Sequence, residues 1–217
     1  MKNLNYKVFL YIILGISAIV WVVIAALTGK NMSQLNDFFG ILPTVASVDL
    51  VIYFGFRQWG WKWKAFHDWL VPFPNLSGTW QGYAKTTWKN PKTGEVLGSI
   101  PVILTIKQSF DRISCVMRTL EMTSYSFSEG FRIEKDNQIK QLAYIYTSKP
   151  KYSLDHRSLP HDGTIVFDII GNPTTKLIGQ YWTSRKSTGE IKLTYWGEEI
   201  LDEIPEDLAN HPMKVES

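Results

Sequence analysis

The sequence has one cysteine, Cys115, among 217 residues, and it has none of the common catalytic motifs. One cysteine excludes an internal disulfide and a cysteine-rich metal site. Its alternating apolar surroundings indicate a buried structural thiol. The chain has no nucleophile elbow, phosphate-binding loop, HExxH pair or dinucleotide fingerprint, so no enzyme is predicted. The spacing of His156 and His161 matches no familiar metal site, so neither a metal nor a cofactor is predicted.

Long hydrophobic runs, by contrast, occur twice near the N-terminus. The uncharged run Val8–Leu27 matches the roughly 20 residues that a helix needs to span a bilayer. A signal peptide is the rival interpretation, and it is disfavoured because the run is too long for a signal core. The second run, Phe38–Phe56, is less apolar and contains Pro43 and Asp49. The short link between the runs predicts a two-helix transmembrane hairpin with both ends on one side.

Basic residues flank this hairpin at its two ends, and few lie in the connecting loop. The flanking residues are Lys2, Lys7, Arg57, Lys62 and Lys64. The positive-inside rule therefore predicts that both termini are cytoplasmic. Tryptophans among basic residues belong at the level of the lipid headgroups, which we expect for Trp59, Trp61, Trp63 and Trp69. Two prolines then end the segment, so we place the membrane anchor in residues 1–73.

Asp49 lies near the middle of the second hydrophobic run. A lone carboxylate there costs about 2.5 kcal/mol or more. Two interpretations stay open at this point. The carboxyl is neutral and bonded to a backbone carbonyl or to Ser17, or it faces a water-filled gap or a neighbouring subunit, where it would contribute to membrane assembly.

Residues 74–217 show short alternating runs separated by turn residues, followed by an acidic tail. Eight candidate strands lie near 78–88, 100–109, 112–120, 123–133, 139–147, 163–170, 175–184 and 190–196. Successive strands with short turns predict an eight-stranded up-and-down antiparallel β-barrel, which can hold one small ligand. A β-sandwich is the alternative. The predicted fold class is therefore a membrane-anchored all-β protein.

The alternation of the first strand predicts its inner face. Trp80, Gly82, Ala84, Thr86 and Trp88 share one face, which we interpret as the inner one. The two small residues leave volume inside the barrel, and Trp88 offers a flat surface near one mouth.

A second set of residues suits a phosphorylated aromatic ligand. Gly179, Tyr181, Thr183 and Arg185 share a face. A guanidinium forks a phosphate, and aromatic rings stack on bases. Further polar or aromatic candidates on other strands are Arg118, Ser124, Ser126, Ser128, Tyr144 and Tyr146.

Several segments together resemble a known family. The segments "LSGTWQGY", "SYSFSEG", "YIYTSKP", "HDGT" and "LIGQYWTSRKSTGEI", preceded by a two-helix hairpin, are similar to the two-transmembrane β-barrel effectors of CBASS, the cyclic-oligonucleotide-based antiphage signalling of bacteria. The resemblance covers the whole chain. It implies ligand contacts by Thr86, Trp88, Arg118, Tyr146, Tyr181 and Arg185.

The resemblance also implies a function. A partner nucleotidyltransferase makes a cyclic di- or oligonucleotide on phage infection, and the cytosolic barrel binds it. The effector then forms homo-oligomers in the bacterial inner membrane, contacts and disrupts the lipid, and kills the infected cell. No DNA or RNA polymer is expected as a partner.

Two other functions compete with this one. A membrane-anchored lipocalin-like barrel that binds an apolar small molecule would also begin with Gly-Thr-Trp. The expected lining, with Arg118, Arg185 and several hydroxyls, favours an anion over a lipid. An enzyme is the third option, and it lacks a candidate nucleophile or metal site.

Overall fold

The chain forms two compact units, which are described separately. The computed structural model describes residues 6–31, 33–89, 94, 98–152, 159–205 and 208. One unit contains two helices and the segment that follows them up to Phe73, together with Ser109–Asp111. The other unit contains eight strands.

The helical unit begins with α1 (Tyr6–Thr28) and α2 (Leu35–Gln58), both long and apolar enough to cross a membrane. The helices pack through a small buried cluster of Ala25, Ile41 and Val45. Many of their other large apolar side chains are exposed; Leu27, for example, is 82% exposed. Apolar helix faces without protein cover are typical of segments surrounded by lipid. The predicted pair of apolar N-terminal helices is thus confirmed.

Asp49 has a partner within this helix pair. The hydroxyl of Ser17 in α1 donates a hydrogen bond to Asp49 Oδ2 in α2, at 2.7 Å. The other carboxylate oxygen, Oδ1, is buried and has no hydrogen-bond partner among the described residues. Ser17 therefore satisfies one carboxylate oxygen of Asp49, and the other is left without a hydrogen bond among the described residues.

Two short 3-10 turns, Gly60–Lys62 and Lys64–Phe66, follow α2. Trp61 in the first turn is completely buried against Phe73, with ring centroids 6.0 Å apart. Trp61 is therefore a core residue of the helical unit, and its ring has no surface to offer to lipid headgroups. The other three tryptophans, Trp59, Trp63 and Trp69, are each more than half exposed.

The second unit is a closed barrel in which each strand pairs with the next and the last pairs with the first. All neighbours are antiparallel, so the predicted eight-stranded up-and-down barrel is confirmed. The strands are β1 (Gly78–Thr86), β2 (Ile100–Gln108), β3 (Ile113–Arg118), β4 (Met122–Glu134), β5 (Ile139–Pro150), β6 (His161–Gly171), β7 (Thr174–Thr183) and β8 (Thr188–Gly197).

The end of β1 differs from the prediction. The strand ends at Thr86, because the backbone N–H of Trp88 donates to Thr86 Oγ1 at 3.0 Å rather than continuing the ladder. Trp88 is half-buried and lies beyond the strand. Strand alternation therefore does not fix the direction of its ring.

The apolar half of the barrel interior lies at the end where β1 begins. Trp80 pairs across the ladder with Leu104 of β2 and with Tyr195 of β8. Trp80 is 1% exposed, which places the first-strand face inside as predicted. The other inward-facing residues of this half are the buried side chains of Ile106, Phe131, Leu142, Phe167, Ile169, Leu177 and Leu193. Together they form a closed apolar floor.

Candidate functional site at the polar end of the barrel

The opposite end of the barrel differs in chemistry from the apolar floor. We call it the polar end; it is formed by the last residues of β1, β5 and β7 and the first residues of β4, β6 and β8. The antiparallel register brings these positions to one level, with Tyr146 opposite Gly163, and Gly163 opposite Thr183. Inward-facing side chains at this end are mostly polar or aromatic: Thr86, Ser124, Tyr146, Ser148, His161, Tyr181 and Thr183.

Arg185 and two tyrosines form the electrostatic centre of the polar end. Arg185 lies in the turn between β7 and β8, and its Nη1 donates to the carbonyl of Leu159 at 3.4 Å. Its guanidinium interacts electrostatically with the phenols of Tyr146 and Tyr181. Tyr181 is also hydrogen-bonded to the side chain of Thr86. Four of the six predicted ligand contacts, Thr86, Tyr146, Tyr181 and Arg185, therefore belong to one cluster.

Burial sets the protonation of this cluster. It raises the pKa of Tyr146 and of Tyr181 above the usual phenol range, and the charge of Arg185 opposes the rise only in part. Burial, together with the charge of Arg185, lowers the pKa of His161 from 6.5. At neutral pH both phenols are hydrogen-bond donors and His161 is uncharged. Arg185, which is partly desolvated, is then the cation of the cluster.

Hydroxyl pairs complete the rim. Ser124 Oγ donates to Ser148 Oγ at 3.0 Å, and the hydroxyls of Thr183 and Ser187 are 2.7 Å apart. These groups have exchangeable donor and acceptor roles, so they can accept hydrogen bonds from one ligand atom and donate to another. A rim of hydroxyls beside a guanidinium suits sugar and phosphate oxygens better than an alkyl chain.

Two glycines explain how the tyrosine rings fit. A Cβ added at Gly163 would lie 2.4 Å from the hydroxyl of Tyr146, and one added at Gly189 would lie 2.5 Å from Cε1 of Tyr181. Each ring therefore lies across the backbone of the neighbouring strand. A glycine inside a strand indicates such a close approach, so both glycines were a signal present in the sequence.

Gly163→Ala is expected to displace the Tyr146 ring, to press on the carbonyl of Trp182, and so to weaken binding of the cyclic nucleotide that the sequence resemblance implies. Loss of one stacking ring costs about 1–3 kcal/mol, or roughly 5- to 150-fold in affinity. Gly130→Ala in β4 is the matched control, because a Cβ there meets nothing within 4 Å. Affinity is measured by titrating the full-length protein with cyclic dinucleotides, and folding by thermal unfolding. Equal affinity of the two folded variants would show that the ring position does not matter.

Arg118 does not join the cluster. It alternates with Ser114 and Val116 on the outer face of β3, whereas Cys115 and Met117 face inward and are buried. Its guanidinium donates to Thr105 Oγ1 at 3.3 Å and pairs with Asp202 at 3.4 Å. The expectation that Arg118 lines the same site as Arg185 is therefore corrected, because these contacts hold it on the outer surface.

A β-bulge corrects a second expectation. The register of β4 against β5 shifts between Ser126 and Ser128, which leaves Phe127 62% exposed. Of the three candidate serines on this strand, Ser124 and Ser126 face inward, but Ser128 is exposed. The bulge brings Glu129 to the inner face instead. The alternation of residues along β4 gave no indication of this shift.

Neither a surface cleft nor a metal cluster offers a better site. A cleft of about 340 Å³ on the outer face of β1 and β8 is lined by Tyr83, Lys85, Ser99, Glu190 and Lys192. It lacks the buried aromatic and hydroxyl groups of the polar end. Among the described residues, no group of three or more His, Cys, Asp or Glu side chains could hold a metal ion. His156 and Asp155 lie outside the described residues.

Comparison with known proteins identifies the family of the chain. Residues 71–195, more than half of the chain, match the family described as Cap15, cyclic dinucleotide receptor domain. The chain belongs to the Cap15 cyclic dinucleotide receptor family. The matched residues include the whole polar end.

A curated relative supports the same assignment. The chain is 28% identical over 153 residues to CD-NTase-associated protein 15 of Staphylococcus schleiferi. The aligned segment covers 70% of this chain and 78% of the relative. The family assignment confirms the resemblance to CBASS effectors. The description of the family is that of a cyclic dinucleotide receptor domain.

Proposed function

We propose that the polar end of the barrel binds a cyclic di- or oligonucleotide. One observation supports this proposal most strongly: a guanidinium, two phenols and a hydroxyl lie together at one mouth of the barrel, in Arg185, Tyr146, Tyr181 and Thr86. The barrel belongs to a cyclic dinucleotide receptor family. Arg185 binds a phosphate, the two rings stack on bases, and Thr86 holds Tyr181 in place. Trp88 lies at the same end and supplies a further ring.

The competing ligand is an apolar small molecule held as in a lipocalin. The polar end disfavours it, because an alkyl chain would displace water from the guanidinium of Arg185 without supplying an anion or a hydrogen-bond acceptor in its place. Unpaired buried polar groups cost free energy. The apolar floor does not offer an alternative cavity, because Phe167, Leu142 and Leu177 fill it and have no exposed surface.

Residues 1–73 serve in this proposal as the membrane anchor and residues 74–217 as the cytosolic receptor. The chain lies in the bacterial inner membrane with both termini in the cytoplasm, where a partner nucleotidyltransferase releases its product. Trp59, Trp63 and Trp69, with their exposed rings, lie at the level of the headgroups. Ligand binding drives several copies together, and their helices disrupt the membrane and kill the infected cell. The barrel acts as a receptor and not as an enzyme.

Vesicle leakage tests the effector step. The full chain is reconstituted in vesicles that contain a self-quenched dye, and cyclic dinucleotides are added one at a time. We expect at least one of them to release the dye, and Arg185→Ala to need a higher concentration of it. Binding without leakage at any protein density would contradict the membrane step while leaving the receptor step in place.

The topology gives a separate prediction. A cysteine introduced into the loop between α1 and α2, for example at Ser33, is expected to react with an impermeant thiol reagent added outside intact cells. A cysteine at exposed Lys85 in β1 is expected to react only after the cells are opened. The native Cys115 gives no background, because it is buried and burial raises the pKa of its thiol. Labelling of Lys85→Cys from outside contradicts the cytosolic placement.

Asp49 gives a prediction about assembly. Its Oδ1 is buried and no described residue bonds to it, so we propose that the helices shift on activation and let this oxygen contact a neighbouring subunit. Asp49→Leu is expected to leave cyclic-nucleotide affinity unchanged and to lower ligand-dependent cross-linking and leakage. Ser17→Ala is the matched control, because it removes the bond within the helix pair and keeps the carboxyl. Equal loss of assembly in both variants would assign Asp49 to the hairpin itself.

A further inference from the structure

Glu129 is the only acidic side chain that the described strands direct to the inside of the barrel. The bulge at Phe127 places it on the inner face of β4, opposite Tyr144 of β5. Arg185 lies at the mouth, Tyr146 lies next, and Glu129 and Tyr144 lie one layer deeper. The ring centroids of Tyr144 and Tyr146 are 6.1 Å apart, which gives the spacing of the two layers.

In the layer of Glu129 and Tyr144, one buried polar group has no hydrogen-bond partner among the described residues. Ser126 Oγ is hydrogen-bonded to Glu129 Oε1, and the same hydroxyl accepts the backbone N–H of Cys115 at 2.8 Å. Ser126 therefore holds one carboxylate oxygen in a fixed place. The hydroxyl of Tyr144 is buried, and it has no hydrogen-bond partner among the described residues. A buried phenol without a partner costs free energy unless something else bonds to it.

The position of a carboxylate inside a receptor for an anion requires an explanation. Glu129 repels the phosphates that Arg185 attracts, so it cannot serve the same part of the ligand. A carboxylate accepts hydrogen bonds only, and its two oxygens suit two parallel donors. A ribose hydroxyl of a cyclic nucleotide offers a single donor, whereas the edge of a base can offer two donors side by side.

We propose that Glu129 reads the edge of a guanine base, so that the cyclic nucleotide bound here contains at least one guanine. This inference rests on the proposed function, because it assigns the base for the same site. Guanine presents N1–H and N2–H side by side, which match the two carboxylate oxygens. Its O6 lies next to N1–H and accepts the hydroxyl proton of Tyr144. The base stacks against Tyr146 in the layer above.

Adenine does not complement this layer. Its corresponding edge places the acceptor N1 beside the N6 amino group, so a lone pair would face the carboxylate. A mismatch of this kind leaves buried polar groups unpaired on both sides. Glu129→Gln restores the match to adenine, because the amide offers one donor and one acceptor. The substitution retains an oxygen that can accept from Ser126.

The test is a titration of the full-length protein and two variants with cyclic di-GMP, cyclic GMP–AMP and cyclic di-AMP. We expect the wild type to favour the two guanine-containing ligands. Glu129→Gln is expected to lose about 10- to 100-fold in affinity for cyclic di-GMP and to lose none for cyclic di-AMP. Glu190→Gln in β8 is the matched control, since Glu190 is exposed on the outer face.

The outcomes separate this inference from the proposed function. A wild type that favours cyclic di-AMP, or a Glu129→Gln variant that changes all three affinities by the same factor, overturns the guanine assignment and leaves the receptor function standing. No binding of any cyclic nucleotide to the folded wild type overturns both. Thermal unfolding of each variant is measured as a control for folding. Glu129→Asp keeps the charge on a shorter side chain, so it should retain the base preference with a smaller loss of affinity than Glu129→Gln.

Discussion

Arg185→Ala is expected to lower affinity for the cyclic nucleotide by about 10- to 100-fold and to protect cells from ligand-dependent killing. The reason is the loss of a charge-assisted hydrogen bond to phosphate, which is worth roughly 1.5–3 kcal/mol. Burial lowers the pKa of Arg185, so its guanidinium is already partly stripped of water and gains more from an anion than a fully exposed arginine. Isothermal titration of the full chain in detergent measures the change.

Two substitutions make this result specific. Arg118→Ala is the matched control, because Arg118 pairs with Asp202 on the outer face of β3 and we expect its loss to change affinity by less than about threefold. Arg185→Lys keeps the charge without the planar fork, so an intermediate affinity is expected. The site as described is wrong if Arg118→Ala weakens binding as much as Arg185→Ala does while both variants remain folded.

Trp80→Ala is expected to destabilise the barrel by about 3–5 kcal/mol. Trp80 is 1% exposed, its Nε1 donates to the carbonyl of Leu76 at 3.0 Å, and its ring meets that of Tyr195 edge-on at 5.1 Å. It lies on β1, the strand that joins β2 and β8 and so closes the barrel. The substitution leaves a cavity in the floor and a buried carbonyl without its donor.

Thermal unfolding of the barrel measures this effect. For a chain of this size the loss corresponds to a midpoint lower by roughly 6–20 °C. Trp182→Ala in β7 is the matched control, because Trp182 is 48% exposed on the outer face and its removal opens no internal cavity. An unchanged midpoint for Trp80→Ala would mean that the first-strand face does not carry the core.

The barrel could be predicted from sequence because its strands alternate and its turns are short. Each of the eight predicted strands overlaps the observed one, and the inner face of β1 follows from the alternation of Trp80 and Ala84. The apolar helices could be predicted from length and the absence of charge. These features depend on periodicity along the chain, which the sequence contains directly.

The site was harder to predict, because it depends on registers between strands. The bulge at Phe127 inverts the alternation of β4, which moves Ser128 outward and Glu129 inward. The inward position expected for Arg118 was wrong for another reason. Arg118 shares one face of β3 with Ser114 and Val116, and the more apolar face, with Cys115 and Met117, points inward. That comparison within one strand was available from the sequence. The glycines beside the tyrosine rings become meaningful only once Gly163 is known to lie opposite Tyr146.

The most direct test of the account is equilibrium binding to the full chain in lipid nanodiscs, with cyclic dinucleotides and a fluorescent fatty acid as competing probes. We predict saturable binding of at least one cyclic dinucleotide, weakened by Arg185→Ala, and no saturable fatty-acid binding to the barrel. Saturable fatty-acid binding to the folded protein, with no binding of any cyclic dinucleotide, would contradict the account and favour a lipocalin-like carrier.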